Sequence, residues 1–161
     1  MEKILVFTAT YNEKENIEKL VYEIFRSNKN LDIYVIDDNS PDGTATILKK
    51  ISKNNDNFYY KIRENKLGLN TAHILAYDYA KENNYDKLIT LDADFSHDPV
   101  EIPKIIDLLN KYDFVIGSRY SEGGKNIQPF FRYLISYFGN KLIRTLLRIK
   151  MKEFTTSYRG F

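Results

Sequence analysis

The chain has 161 residues, with 43% hydrophobic and 29% charged residues and a net charge of +2, which is enough for one ordinary globular domain and gives no reason to expect nucleic acid. It has no cysteine and only two histidines, His73 and His97, which excludes a disulfide framework and argues against a zinc site built from thiolates or histidines. No apolar run approaches the ~18 residues of a membrane span, and Met1 to Ile4 lead into a strand-like run rather than a signal peptide, so the cytoplasm is the expected compartment.

Lys3 to Thr8 form a nearly continuous apolar strand, as expected inside a parallel sheet. Ala9 to Glu13 are a polar turn, with Asn12 as the expected cap of a helix that buries Ile17, Leu20, Val21, Ile24 and Phe25. Asp32 to Asp38 read as a second strand ending in acids, and Asn39 to Thr44 as a turn. A helix with Ile47, Leu48 and Ile51 inward follows, then a strand from Phe58 to Arg63. Glu64 to Gly68 turn into a helix that buries Ala72, Leu75, Ala76, Tyr79 and Ala80. The apolar run Lys87 to Leu91 leads into Asp92-Ala93-Asp94.

Asp98, Pro99 and Glu101 have the pattern of a helix start, although Pro103 blurs the first turn, and Ile102, Ile105, Ile106 and Leu109 form the inner face. Asp113 to Gly117 are a fifth strand, and a Gly-rich loop follows from Ser118. From Pro129 to Lys152 basic and apolar residues interleave without an acid, which suits a helix on an anionic membrane surface or one packed on the sheet with a solvated basic face. The alternation of strand and helix predicts a single α/β domain with a mostly parallel sheet flanked by helices.

In such sheets ligands bind beyond the carboxyl ends of the strands. Thr8 to Glu13, Asp37-Asp38 and Asp92-Ala93-Asp94 deliver polar groups to that edge, and Arg119 follows the fifth strand. Asp92 and Asp94, two apart in an extended backbone, point to one side, where like charges repel unless a cation joins them. Hard oxygens suit Mg²⁺ or Mn²⁺, held by one or two carboxylates plus a substrate diphosphate. The competing reading makes either aspartate a turn cap. Asp42 is expected to serve its turn, and Asp98 a helix start. Motifs of dinucleotide oxidoreductases, P-loop hydrolases, serine hydrolases and zinc peptidases are absent from the sequence.

Five stretches in register resemble the inverting family 2 glycosyltransferases of the GT-A (Rossmann-like) fold, and most of all the dolichyl- or polyprenyl-phosphate mannose synthases. Thr10-Tyr11-Asn12-Glu13 is similar to P-T-Y-N-E, with Ala9 in place of the proline. Ile36 to Thr44 resemble V-D-D-x-S-P-D-G-T, and Lys66 to Ala72 resemble K-L-G-L-G-T-A with Asn70 for a glycine. Asp92 to Pro99 resemble D-A-D-L-S-H-x-P, and Gly117 to Tyr120 match G-[ST]-R-Y. Glu153 to Arg159 are similar to D-x-T-S-G-F-R, with Glu153 for the aspartate and Ser157 for the glycine.

The resemblance implies that Thr10, Tyr11, Glu13 and Asp38 bind the nucleotide, with Lys66 beside them. It makes Asp92, Asp94 and Ser96 the metal site, with Mg²⁺ or Mn²⁺ as cofactor. Asp94 and Arg119 would act on the donor diphosphate. Arg132 and Ser136, spaced as R-x-x-x-S, would take the acceptor phosphate. The implied reaction moves mannose from GDP-mannose to a polyprenyl phosphate with inversion, at the cytoplasmic face of a membrane. Alternatives are UDP-glucose or another donor, a sugar-hydroxyl acceptor with Glu153 as base, or a nucleotide-sugar binding module without chemistry. Relatives continue past this last motif, so a fragment of a longer, membrane-anchored protein is an expectation.

Overall fold

The computed structural model describes residues 2–118, 130–148, 151 and 153–161, with only the backbone described at Phe130, Arg132 and Tyr133. In chain order the elements are β1 (Ile4–Thr10), α1 (Ile17–Ser27), β2 (Asp32–Asp37), α2 (Thr44–Ser52), β3 (Phe58–Ile62) and α3 (Leu69–Glu82). β4 (Lys87–Thr90), a 3₁₀ turn (Pro99–Glu101), α4 (Ile102–Leu109), β5 (Val115–Ile116), α5 (Phe130–Leu147) and β6 (Arg159–Gly160) follow.

The sheet order is β3-β2-β1-β4-β6-β5. The first four of these strands are mutually parallel, in register Leu5 with Asp32, Ile4 with Lys87 and Ile33 with Phe58. Burial on both faces explains their near-continuous apolar runs. One face carries Val6, Ile33, Val35 and Ile89 against Ile17, Leu20, Ile24, Leu48, Ile102 and Ile105. The other carries Leu5, Phe7, Tyr34 and Ile36 against Ala72, Ala76 and Ala80, whose small side chains bring α3 close to the sheet.

Three sequence expectations are corrected, and one strand is added. Asn12 does not cap α1: its φ is +63°, its N–H donates to Ser40 Oγ at 2.9 Å, and the helix starts at Ile17 behind Asn16. The fifth strand shrinks to Val115–Ile116, because its paired neighbour β6 is only two residues long. β6 itself was not foreseen; it runs antiparallel between β4 and β5. Its Gly160 passes so close to α4 that an added Cβ would come within 2.7 Å of Ile105 Cγ2. Finally, β4 stops at Thr90, so Asp92 lies past the strand and Asp94 in the turn that follows, and the two do not share one strand. Asp98 does what the sequence suggests, accepting the Val100 N–H at 3.0 Å at the start of the 3₁₀ turn.

His73 on α3 sits edge-on to Phe7, with ring centroids 5.2 Å apart, and its Nδ1 is buried without a hydrogen-bond partner among the described residues. Burial, reinforced by the positive charge of Arg159 and only partly offset by Asp92, holds its pKa below the usual 6.5. The unfolded chain therefore takes up the proton first as pH falls through 6.5, and this group's contribution to stability is lost on the acid side. Urea denaturation of His73→Leu should show a smaller loss of stability between about pH 7.5 and 5.5 than the unsubstituted protein.

Candidate active site

The carboxyl ends of β1, β2 and β4 carry three loops, and each contains a left-handed residue without being glycine: Asn12, Asn39 and Phe95, with φ of 63°, 59° and 61°. Asparagine tolerates this region, whereas for phenylalanine it is a strained backbone. Phe95 is kept there by its ring, which packs on the core beneath α1 and lies under Lys19 Nζ at 5.2 Å.

Asp37 and Asp38, adjacent in sequence, have separate work. Asp37 is fully buried. It accepts Thr10 Oγ1 at 2.8 Å, Ser40 Oγ at 2.6 Å and Ser40 N–H at 2.9 Å. Thr10 is buried as well, so its hydroxyl serves this contact. Asp38 faces the next loop. Its Oδ1 lies 2.5 Å from Arg63 Nε and its Oδ2 accepts Gly68 N–H at 2.8 Å, with both side chains at most 7% exposed. Arg63 also donates to Thr71 Oγ1 at 2.5 Å and Gly68 O at 3.1 Å. Gly68 needs its lack of a Cβ here, because its φ of 86° and ψ of 164° suit little else. Sequence reasoning missed Arg63. The signal was available: it ends β3, whose register places it beside the end of β2.

Tyr11 and Lys66 meet across this loop, with Lys66 Nζ 3.5 Å from the Tyr11 ring centroid. Tyr11 is 38% exposed. Glu13 is half-buried, accepts Asn16 Nδ2 at 2.8 Å and donates its N–H to Thr44 Oγ1 at 3.1 Å. Asp42 makes the turn contacts expected of it, accepting Thr44 N–H and Lys14 N–H, each at 2.9 Å. Desolvation pulls its carboxyl pKa up, but these bonds and the Thr44 hydroxyl outweigh it and hold the pKa below the usual value.

Past β4, the Asp92 side chain is 36% exposed, and Asp94 and Ser96 are exposed. Asp94 Oδ1 accepts Ser96 N–H at 2.9 Å, so the turn-capping reading holds for one of its oxygens. Among the described residues no three His, Cys, Asp or Glu side chains form a closed metal cage. Two accessible carboxylates and a hydroxyl fit a hard cation that takes its other oxygens from a diphosphate and water, as Mg²⁺ and Mn²⁺ do. They do not fit a site that must hold its metal unaided.

Arg119 lies outside the described residues. Arg132 is in α5 with only its backbone described, and Ser136, one turn later, is half-buried. Glu153 is fully buried, and its Oε1 accepts Asn140 Nδ2 at 3.2 Å and Thr155 N–H at 3.1 Å. That is a clasp between α5 and the last segment, an environment that ties the carboxylate up in structure.

The sequence profile of Glycosyl transferase family 2 matches residues 5–161, and the chain belongs to that family. It is 32% identical, over 99% of its length, to 62% of the polyprenol monophosphomannose synthase of Mycolicibacterium smegmatis. It is 36% identical, again over 99% of its length, to 45% of the dolichol-phosphate mannosyltransferase of Pyrococcus furiosus. The chain thus spans between 45% and 62% of the length of these relatives.

Two solved GT-A enzymes share the fold. The glucosyl-3-phosphoglycerate synthase of Mycobacterium tuberculosis, with Mn²⁺ and UDP, superposes with a TM-score of 0.65 at 18% identity, over 99% of this chain and 56% of that one. The mannosyltransferase PcManGT of Pyrobaculum calidifontis, with GDP-Man and Mn²⁺, gives 0.51 at 23% identity, over 56% and 27%.

Arg63→Met would leave Asp38 buried without its partner. Stability should fall by about 3–5 kcal/mol, read from the urea midpoint. A loss of about 1 kcal/mol or less would mean that the pair behaves as a solvated one.

Proposed function

We propose that this chain carries the catalytic machinery for moving a sugar, mannose in the first instance, from a nucleotide-diphosphate sugar to a polyprenyl phosphate with inversion. GDP-mannose is the favoured donor. The observation that carries the reading is the pair of accessible carboxylates, Asp92 and Asp94, at the ligand edge of a family 2 sheet. The names of the relatives, both polyprenol- or dolichol-phosphate mannose enzymes, support the sugar and the acceptor.

In this reading Tyr11, Glu13 and Asp38 with its Arg63–Gly68 frame border the nucleotide. Lys66 lies between base and phosphates. Asp92, Asp94 and Ser96 hold the divalent cation, Mg²⁺ or Mn²⁺, which when bound supplies charge to the leaving diphosphate. Arg119 adds a guanidinium to the same oxygens, and Arg132 with Ser136 holds the acceptor phosphate. A polyprenyl phosphate oxygen is already anionic at pH 7, so the acceptor needs little help from a base. The hydrogen-bonded burial of Glu153 agrees with that. Positioning for in-line attack on the anomeric carbon then supplies most of the rate.

The acceptor also explains α5. Ile135, Phe138, Leu142 and Leu146 recur every three or four residues and are 60–74% exposed. Lys141, Arg144 and Arg148 are exposed beside them, and the helix contains no acid. No described helix is long and apolar enough to cross a membrane. An apolar stripe with cationic flanks lies in the plane of an anionic lipid surface, where the acceptor resides. The protein is then peripheral, at the cytoplasmic face.

GDP-mannose with Mn²⁺ at about 100 times its Kd should stabilise the protein by about 2.7 kcal/mol, more than UDP-glucose does at equal concentration. Asp94→Asn should remove that gain and cut transfer at least about a hundredfold with an unchanged circular dichroism spectrum. Undiminished turnover would sink the carboxylate pair as cation holder. Phe138→Asp and Leu142→Asp should each release the protein from phosphatidylserine vesicles in co-sedimentation while leaving donor binding as it was.

A further inference from the structure

Asp92 lies beyond the end of β4, and its N–H falls on the side that faces β6, whose antiparallel pairing with β4 ends at Thr90. A backbone donor in that position needs a partner from elsewhere. It donates to His97 Nδ1 at 3.0 Å. A ring nitrogen that accepts carries no proton, so in the neutral imidazole the proton is on Nε2. Nε2 lies 2.9 Å from Thr156 Oγ1, which it reaches as a donor. The 3.7 Å between Nδ1 and Asp92 Oδ2 is then not an ion pair, since the nitrogen is engaged with the N–H of the same residue.

The far side of this bridge is well anchored. Thr156 Oγ1 also accepts Tyr158 N–H at 3.2 Å. The Tyr158 ring stacks on the imidazole at 5.0 Å and 25°, and its hydroxyl donates to Asp98 O at 2.9 Å. Tyr158 O in turn accepts Gly117 N–H at 2.8 Å, next to β5. Three residues before Thr156, Glu153 is clasped by Asn140 of α5, whose Oδ1 accepts Phe154 N–H at 2.8 Å. His97 therefore spans a sequence separation of 59 residues, between the carboxylate turn and the segment that α5 holds.

We propose that His97 is a positioning residue: through Thr156 it makes the set of the Asp92 backbone, and with it the aim of the Asp92 and Asp94 carboxylates, depend on the docking of residues 153–158. The inference rests on the proposed role of those carboxylates in holding a cation. It adds that the cation side of the site and the α5 side are ordered together, with the imidazole as the link. Histidine suits the task because it offers an acceptor and a donor on opposite edges of one rigid ring. Asparagine can mimic the Nδ1 acceptor, and glutamine the Nε2 donor, but neither does both.

The test uses the ligand-free chain and the chain with GDP and Mn²⁺. Thr156→Val removes the hydroxyl and keeps the shape, while Thr156→Ser keeps the hydroxyl. His97→Gln keeps a donor towards Thr156 and loses the acceptor for Asp92. Hydrogen exchange should show the Asp92 amide at least about tenfold less protected in Thr156→Val and His97→Gln. Thr156→Ser should restore it. Mn²⁺ affinity in the presence of GDP, read by electron paramagnetic resonance, should fall about 10–100-fold in the first two variants, with the urea midpoint little changed.

Asp92 exchange within about twofold of the unsubstituted protein in Thr156→Val would overturn the link. So would Mn²⁺ affinity that falls only in step with global stability. If the unsubstituted protein binds no Mn²⁺ with GDP, the proposed function fails, and the exchange measurement still decides the link. Should Thr156→Val not fold, Thr156→Ala carries the same two measurements.

Discussion

A carboxylate with no solvent exposure sits where the first two loops meet, and the site's geometry depends on satisfying it. Asp37 takes hydrogen bonds from Thr10 on β1 and from Ser40 on its own loop. Ser40 in turn receives the Asn12 N–H, which holds Asn12 in its left-handed conformation. A buried charge without these donors would cost several kcal/mol. The chain therefore has little choice over how the first loop leaves β1 and where Tyr11 stands. Thr44 and Asp42 repeat the arrangement one turn further out, taking the N–H groups of Glu13 and Lys14.

The parallel core was readable because its cause is local. Runs such as Ile33 to Ile36, short, largely β-branched and bounded by turn residues, read as two-sided strands, and the alanine spacing of α3 marks its inner face. The acids at strand ends were readable too, since a parallel sheet offers one ligand edge. What each acid does there was harder to see. Asp37 and Asp38 look alike in sequence, yet one laces loops and the other faces a buried arginine, because neighbouring residues leave a strand end in opposite directions. The extended-strand argument for Asp92 and Asp94 failed for a related reason. Periodicity reports apolar burial, and the bonding of β4 to β1 ends with the Leu91 N–H on Phe7 O, just before the first of them.

The last segment was legible only by resemblance. β6 is Arg159–Gly160, too short for any period, and pairs with strands distant in sequence. Its place is set by long-range contacts: Gly160 against α4, Thr156 with His97, and Glu153 with Asn140. No window of sequence contains both partners of such a contact. His97 could be noticed for its place in the turn, but Thr156 could not be named as its partner. The amphipathic stretch that became α5 was visible, and the structure adds that its apolar stripe is left uncovered among the described residues.

Lys66 resting on Tyr11 has a bearing on selectivity. An ammonium over an aromatic face is held by about 0.5–2 kcal/mol, so the ring is covered by Lys66 in the ligand-free structure. Any flat guest that stacks on Tyr11 must evict this resident cation, and an uncharged guest has only dispersion with which to compete. A guest that brings phosphate gives the evicted lysine a new counter-charge within reach, turning the eviction from a loss into a gain. Under the proposed function the pair would work as a turnstile, favouring a nucleobase that arrives with its diphosphate over a bare one.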